Sequence, residues 1–158
     1  MSGADYQRNR QWSDKFIRHF RMVAGYCITA VSSVEEDCQH NTDLIVLIAR
    51  NVRIACRVRR HKYFDMYPNE FTIRCRLGSG TRTELDKIRD GWGDYLVYAF
   101  ADEAERNFCA YRVIDLARFR EALPGLTWKE TPNGDGTFFA AFDARNMPSG
   151  VVVLDVKR

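Results

Sequence analysis

The chain has 158 residues, 46% of them hydrophobic and 13% aromatic, which is enough apolar surface for one domain with a core and too much for a disordered tail. The formal net charge of +3 does not by its total mark a nucleic-acid binder, but the cations are 19 Arg against 5 Lys, a bias toward bidentate pairing with carboxylate or phosphate. No apolar run reaches the ~18 residues of a membrane span and residues 1–11 lack the apolar core of a signal peptide. Five cysteines, Cys27, Cys38, Cys56, Cys75 and Cys109, form no CxxC pair and no zinc spacing. These features predict reduced, mostly buried thiols in a cytoplasmic protein that does not touch a membrane.

In chain order, Trp12, Phe16, Ile17, Phe20, Val23 and Ala24 recur at helical spacing and predict one helix over 5–26, with Arg8, Arg10, Lys15, Arg18 and Arg21 on its other side. The apolar run 43–48 reads as a buried strand with Asp43 at its mouth. A second strand over 52–60 turns Ile54, Cys56 and Val58 one way and Arg53, Arg57 and Arg59 the other. A third over 71–77 repeats the alternation, with Phe71, Ile73, Cys75 and Leu77 opposite Arg74 and Arg76. The intervening stretch 61–70 carries the turn-former Pro68-Asn69. Three antiparallel strands in a meander, with one arginine face, is the natural assembly.

Thr81 or Thr83 caps a short helix to about Asp90 that sets Glu84 and Lys87 one turn apart, and Gly91-Trp92-Gly93 breaks it. Strands follow at 94–100 and 108–114, then a helix over 115–123 stopped by Pro124-Gly125. Asn133-Gly134-Asp135-Gly136 predicts a hairpin between 128–131 and 137–142, and 151–156 is the last strand. The expected fold is α+β, a central mixed sheet with an antiparallel meander flanked by helices. It forms a single domain over 1–158, with its core at about 10–120 and a C-terminal β extension at 126–158.

Charge is distributed more tellingly than its total. Residues 50–76 hold eight Lys and Arg against two acids, and acidic stretches flank them. Like charges facing each other across strands destabilise a sheet unless anions lie among them. Two sources qualify, the chain's own Glu35, Asp37, Asp43 and Glu84, or the phosphates of DNA or RNA.

Helix, strand opening at Thr42-Asp43, strand Ile54-Ala55-Cys56-Arg57-Val58-Arg59, then helix and two strands resembles the PD-(D/E)xK, or restriction-endonuclease-like, nuclease superfamily. That resemblance implies a magnesium-dependent phosphodiesterase in which carboxylates hold the metal and activate water. The family's acid and lysine positions are filled here by Arg57 and Arg59, and an arginine neither ligates a metal nor acts as a base. A rebuilt site therefore takes Asp43 and Glu84 as metal ligands, with Lys87 or Arg59 stabilising charge on the phosphate. Nucleic acid then lies on Arg53, Arg57, Arg59, Arg74 and Arg76. In style, the stretches 83–87 and 91–95 resemble phage- or prophage-type proteins.

The alternative class is a non-enzymatic interaction module, a host-interference factor or homo-oligomer whose arginines meet an acidic protein surface such as 94–105. P-loop, dinucleotide and hydrolase-elbow motifs are absent, and His19, His40 and His61 are too far apart in sequence for a local metal site. Trp92, Tyr95 and Tyr98 read as core residues at strand spacing, with base stacking as their other use.

Overall fold

The computed structural model describes residues 3–31, 44–46, 52–78 and 80–157. Residues 5–26 form two helices rather than one, α1 (Gly3–Asp14) and α2 (Ile17–Ile28). The break follows from Ser13, whose hydroxyl turns back to donate to the Arg10 carbonyl while its own carbonyl accepts from Phe16 N–H in a tight turn. Phe16, Phe20 and Val23 still share one buried face, with Phe16 stacked on Phe108 at 5.6 Å between ring centroids. Among the described residues no helix is long and apolar enough to cross a membrane.

The fold is α+β, with a mixed four-stranded sheet and a second, antiparallel sheet. Strands β1 (Thr29–Val31) and β2 (Leu44–Val46) make an antiparallel pair of their own. The mixed sheet has the order β3 (Ile54–Arg59), β5 (Tyr95–Ala101), β6 (Phe108–Asp115), β9 (Val152–Lys157). The second sheet runs β4 (Glu70–Arg76), β8 (Phe138–Asp143), β7 (Lys129–Pro132). This corrects the expected meander, because β3 pairs in parallel with β5 and β4 pairs with β8. Residues 61–70 are also more than a turn, since His61–Met66 form helix α3, with the His61 imidazole 3.3 Å from the Asp65 carboxylate at i,i+4.

Strand β5 explains the layering. Its alternate residues Leu96, Tyr98 and Phe100 are buried with Phe71, Ile73, Ala140 and Phe142 of the second sheet, while Val97, Ala99 and Ala101 are buried with Phe16, Phe20 and Val23. A strand covered on both faces reads as a continuous apolar run, as Tyr95-Leu-Val-Tyr-Ala-Phe-Ala does. Helices α4 (Glu84–Arg89) and α5 (Leu116–Ala122) close the second-sheet side through Leu85, Ile88, Leu116 and Phe119. The segment 126–158 supplies β8 at the centre of one sheet and β9 at the edge of the other.

Helix α4 starts where the sequence predicts. Thr83 is its N-cap in a capping box, its hydroxyl accepting from Asp86 N–H and donating to the Asp86 carboxylate at 2.7 Å. Hydrogen bonds from Thr83, the backbone N–H first, hold the Asp86 carboxyl below the usual carboxylate range. Thr83→Ala should cost about 1 kcal/mol in a denaturant melt. A folded-state value below the unfolded one gives stability that is complete above about pH 4 and fades as the pH falls through the lowered value. The gap between wild type and Thr83→Ala should therefore narrow in acid.

Candidate nucleic-acid interface

Arg57 and Arg59 leave β3 toward the second sheet and meet Arg74 of β4 around a single ring. Their guanidinium carbons lie 5.4, 5.7 and 5.5 Å from the centroid of Phe139 on β8. The arginine cluster therefore exists, but across the gap between two sheets rather than across a ladder, and the electron-rich face of Phe139 lies where like charges would otherwise meet. A bulge sets this geometry. Between Arg74 and Arg76 strand β4 carries one extra residue, Cys75, so Arg74 stands opposite Phe139 and Arg76 opposite Phe138. Arg76 lies over Phe138 at 3.6 Å and pairs with Glu130 at 3.3 Å. Arg53 sits at the other end of β3, over Trp92 at 5.4 Å.

The members of the cluster are not equivalent. Arg57 is ion-paired with Glu84 and donates to the Thr72 carbonyl at 3.0 Å, and Glu84 accepts in turn from the Arg74 backbone N–H at 3.2 Å. The sequence reading places Glu84 with Lys87, yet Lys87 is exposed on α4 and the carboxylate turns to Arg57. Arg59 donates to the Thr72 hydroxyl at 3.1 Å, which is itself bonded to the Tyr98 hydroxyl, and its guanidinium lies 4.1 Å from the Tyr63 ring centroid. Among the described residues no carboxylate pairs with Arg59 or Lys62.

Beside Arg59 opens a groove of about 320 Å³ whose lining includes Arg57, Arg59, Arg60, Lys62, Trp12, Tyr63 and Phe139 and no acidic side chain among the described residues. One carboxylate lies just behind it. Glu105, in the β5–β6 turn at a positive φ of 53°, accepts from Trp12 Nε1 and from Arg60, each at 2.7 Å. Arg60 also lies over the Trp12 ring at 4.7 Å, so Glu105 fixes the groove wall formed by α1. The turn itself is held by Asp102, whose carboxyl is kept below its usual range, first by the Arg106 N–H.

The sequence singled out Arg57, Arg59 and Glu84 but not Phe139, Tyr63, Arg60, Lys62 or Trp12, which complete the groove. Asp43, Glu35, Asp37 and His40 lie outside the described residues. Among the described residues no group of three or more His, Cys, Asp or Glu side chains could hold a metal ion. Glu84, the described half of the expected magnesium pair, does not fit that role. Its Oε2 already takes the Arg57 guanidinium and the Arg74 N–H, and a dication there would sit against a fixed positive charge. Compared with protein-family models, curated proteins and solved structures, the chain matches none of them.

Proposed function

We propose that this protein binds nucleic acid, with the groove between α1, α3, β3 and β8 as its phosphate and base site. The observation that carries the proposal is the lining, three aromatic rings and four cationic side chains, two of which, Arg59 and Lys62, have no carboxylate partner among the described residues. Arg59 is the central contact. Tyr63 holds its guanidinium from the ring side and Thr72 uses only one of its donors, which leaves the remaining N–H groups for a phosphate fork. Lys62, whose Nζ lies 5.2 Å from the centroid of the same Tyr63 ring, adds a second point charge. The resemblance of the sequence to PD-(D/E)xK nucleases points to the same ligand class, although β2, which follows Asp43, pairs with β1 and not with β3. Phosphodiester cleavage is the part of the proposal that Asp43→Ala addresses, in an assay with magnesium present.

The binding test is fluorescence anisotropy of a labelled oligonucleotide across salt. Each phosphate neutralised contributes about −0.7 to −0.9 to the slope of log K against log salt. Arg59→Ala should weaken binding and make that slope shallower by roughly one such unit. A wild-type affinity that stays flat between low and moderate salt overturns the proposal. Competition by poly-glutamate as strong as by the oligonucleotide would do the same, pointing instead to an acidic protein surface.

A further inference from the structure

The sequence places Trp92 in the core, and the structure leaves it 58% exposed at the start of β3, at the opposite end from the groove. It is not loosely displayed. Gly91 and Gly93 flank it at φ of +89° and +82°, a conformation side chains rarely adopt, and a Cβ on Gly93 would come within 2.9 Å of Leu116. Hydrogen bonds pin the turn on three sides. Trp92 N–H donates to the Lys87 carbonyl of α4, Arg120 of α5 donates to the Gly93 carbonyl, and Arg53 N–H donates to the Asp94 carboxylate at 2.7 Å. An indole is thus held in water on a fixed turn with a guanidinium beside its ring.

We infer that the nucleic acid is single-stranded and runs along β3, from Arg59 in the groove to Arg53, with an unpaired base stacking on Trp92. The inference rests on the nucleic-acid reading above. Arg57 and Arg59 project from one side of β3, Arg53 immediately precedes its first residue, and six residue steps of ~3.3 Å separate Arg53 from Arg59, about 20 Å. Arg57 is neutralised by Glu84, so the two ends hold the strand. Arg59 and Lys62 with Tyr63 mark one end, and Arg53 with Trp92 marks the other. A run on the order of four nucleotides spans such a track. Stacking selects for single strands because each base offers its face only when unpaired and unstacked, and it is sequence-tolerant because every base has such a face.

The experiment compares wild type, Trp92→Ala and Trp92→Phe on labelled oligo(dT) and on a duplex of equal length, over the same salt series. Trp92→Ala should weaken oligo(dT) binding by about 10- to 100-fold with the salt slope unchanged, since stacking releases no counterions. Trp92→Phe should retain most of the affinity, and the duplex should bind wild type more weakly than oligo(dT). Oligo(dT) should also quench wild-type tryptophan fluorescence by an amount that shrinks in Trp92→Ala. Because Trp92 is exposed, the variant's thermal melt should match wild type. A Trp92→Ala protein that binds oligo(dT) like wild type, or a duplex bound at least as tightly as the single strand, overturns the inference while a steep salt slope leaves the groove proposal standing. Binding of neither nucleic acid by wild type removes both.

Discussion

Arg57→Ala should lower the unfolding free energy by about 2 to 3 kcal/mol, and Glu84→Ala by a similar amount, in urea melts at neutral pH. Strand β4 is an edge of the second sheet, so the Thr72 carbonyl and the Arg74 N–H have no strand beside them. Arg57 donates to the first and Glu84 accepts from the second, and the two side chains pair with each other. The ion pair thus satisfies the edge as a neighbouring strand would, and it ties β3, β4 and α4 together. Deleting either member orphans a backbone group and strands a charge. The side chains are 21% and 27% exposed, so water recovers part of the loss and the cost stays below the roughly 3 to 5 kcal/mol of breaking a fully buried pair. Arg57→Met with Glu84→Gln should cost less than the sum of the two single changes, by about 1 to 2 kcal/mol. Single variants within about 0.5 kcal/mol of wild type would show the pair to be ornamental. Arg57 is therefore a poor probe of binding, because its partners Glu84 and Thr72 make its loss disturb the fold. Arg59 is the cleaner position.

What the sequence made legible was local. The Thr83 cap, the start of α5 next to Asp115 and the turn at Asn133 to Gly136 depend on residues within a few positions of one another, and they stand where expected. The alternation of arginine with apolar residues set Ile54 and Val58 opposite Arg57 and Arg59 on β3 and Phe71 and Ile73 opposite Arg74 on β4, but Cys56, expected on the core side, is exposed, and a bulge at Cys75 interrupts the pattern. The alternation said nothing of what the arginines then face, because the parallel pairing of β3 with β5 and the pairing of β4 with β8 are made between distant segments. Phe139 was invisible for that reason, since its place among the arginines is set by a bulge at Cys75 in another strand. Helix α3 was hidden by the nearby Pro68-Asn69 turn and by Arg60, whose side chain makes no cap hydrogen bond. Trp92 had a usable signal, because a residue between two glycines belongs to a turn and not to strand spacing.

Asp155→Ala should destabilise the protein more than Arg112→Met does, although Arg112 is the buried partner. Arg112 is 1% exposed and faces the second sheet from the middle of β6. One nitrogen, Nη2, donates to the Pro68 carbonyl at 2.7 Å and lies 3.3 Å from the Asp155 carboxylate, while Nε and Nη1 have no hydrogen-bond partner among the described residues. Burial pulls the guanidinium pKa down and Asp155, with a smaller pull from Asp143, opposes it, so the charge is held chiefly by the Asp155 carboxylate. Removing Asp155 leaves a buried cation with a lone carbonyl, a loss of about 2 to 3 kcal/mol, moderated because the Asp155 side chain is 36% exposed. Arg112→Met removes the desolvated charge and both unpartnered nitrogens, keeps comparable volume, and leaves a carboxylate that water reaches, so its cost should be about 1 kcal/mol or less. Denaturant melts of the two variants decide the order, and an Arg112→Met loss larger than that of Asp155→Ala would show the guanidinium to be net stabilising. The Pro68 contact gives the residue a second consequence. Pro68 lies in the connection between α3 and β4, so Arg112 anchors the segment that follows Tyr63, and Arg112→Met should loosen the groove wall beside Arg59 while the melt changes little.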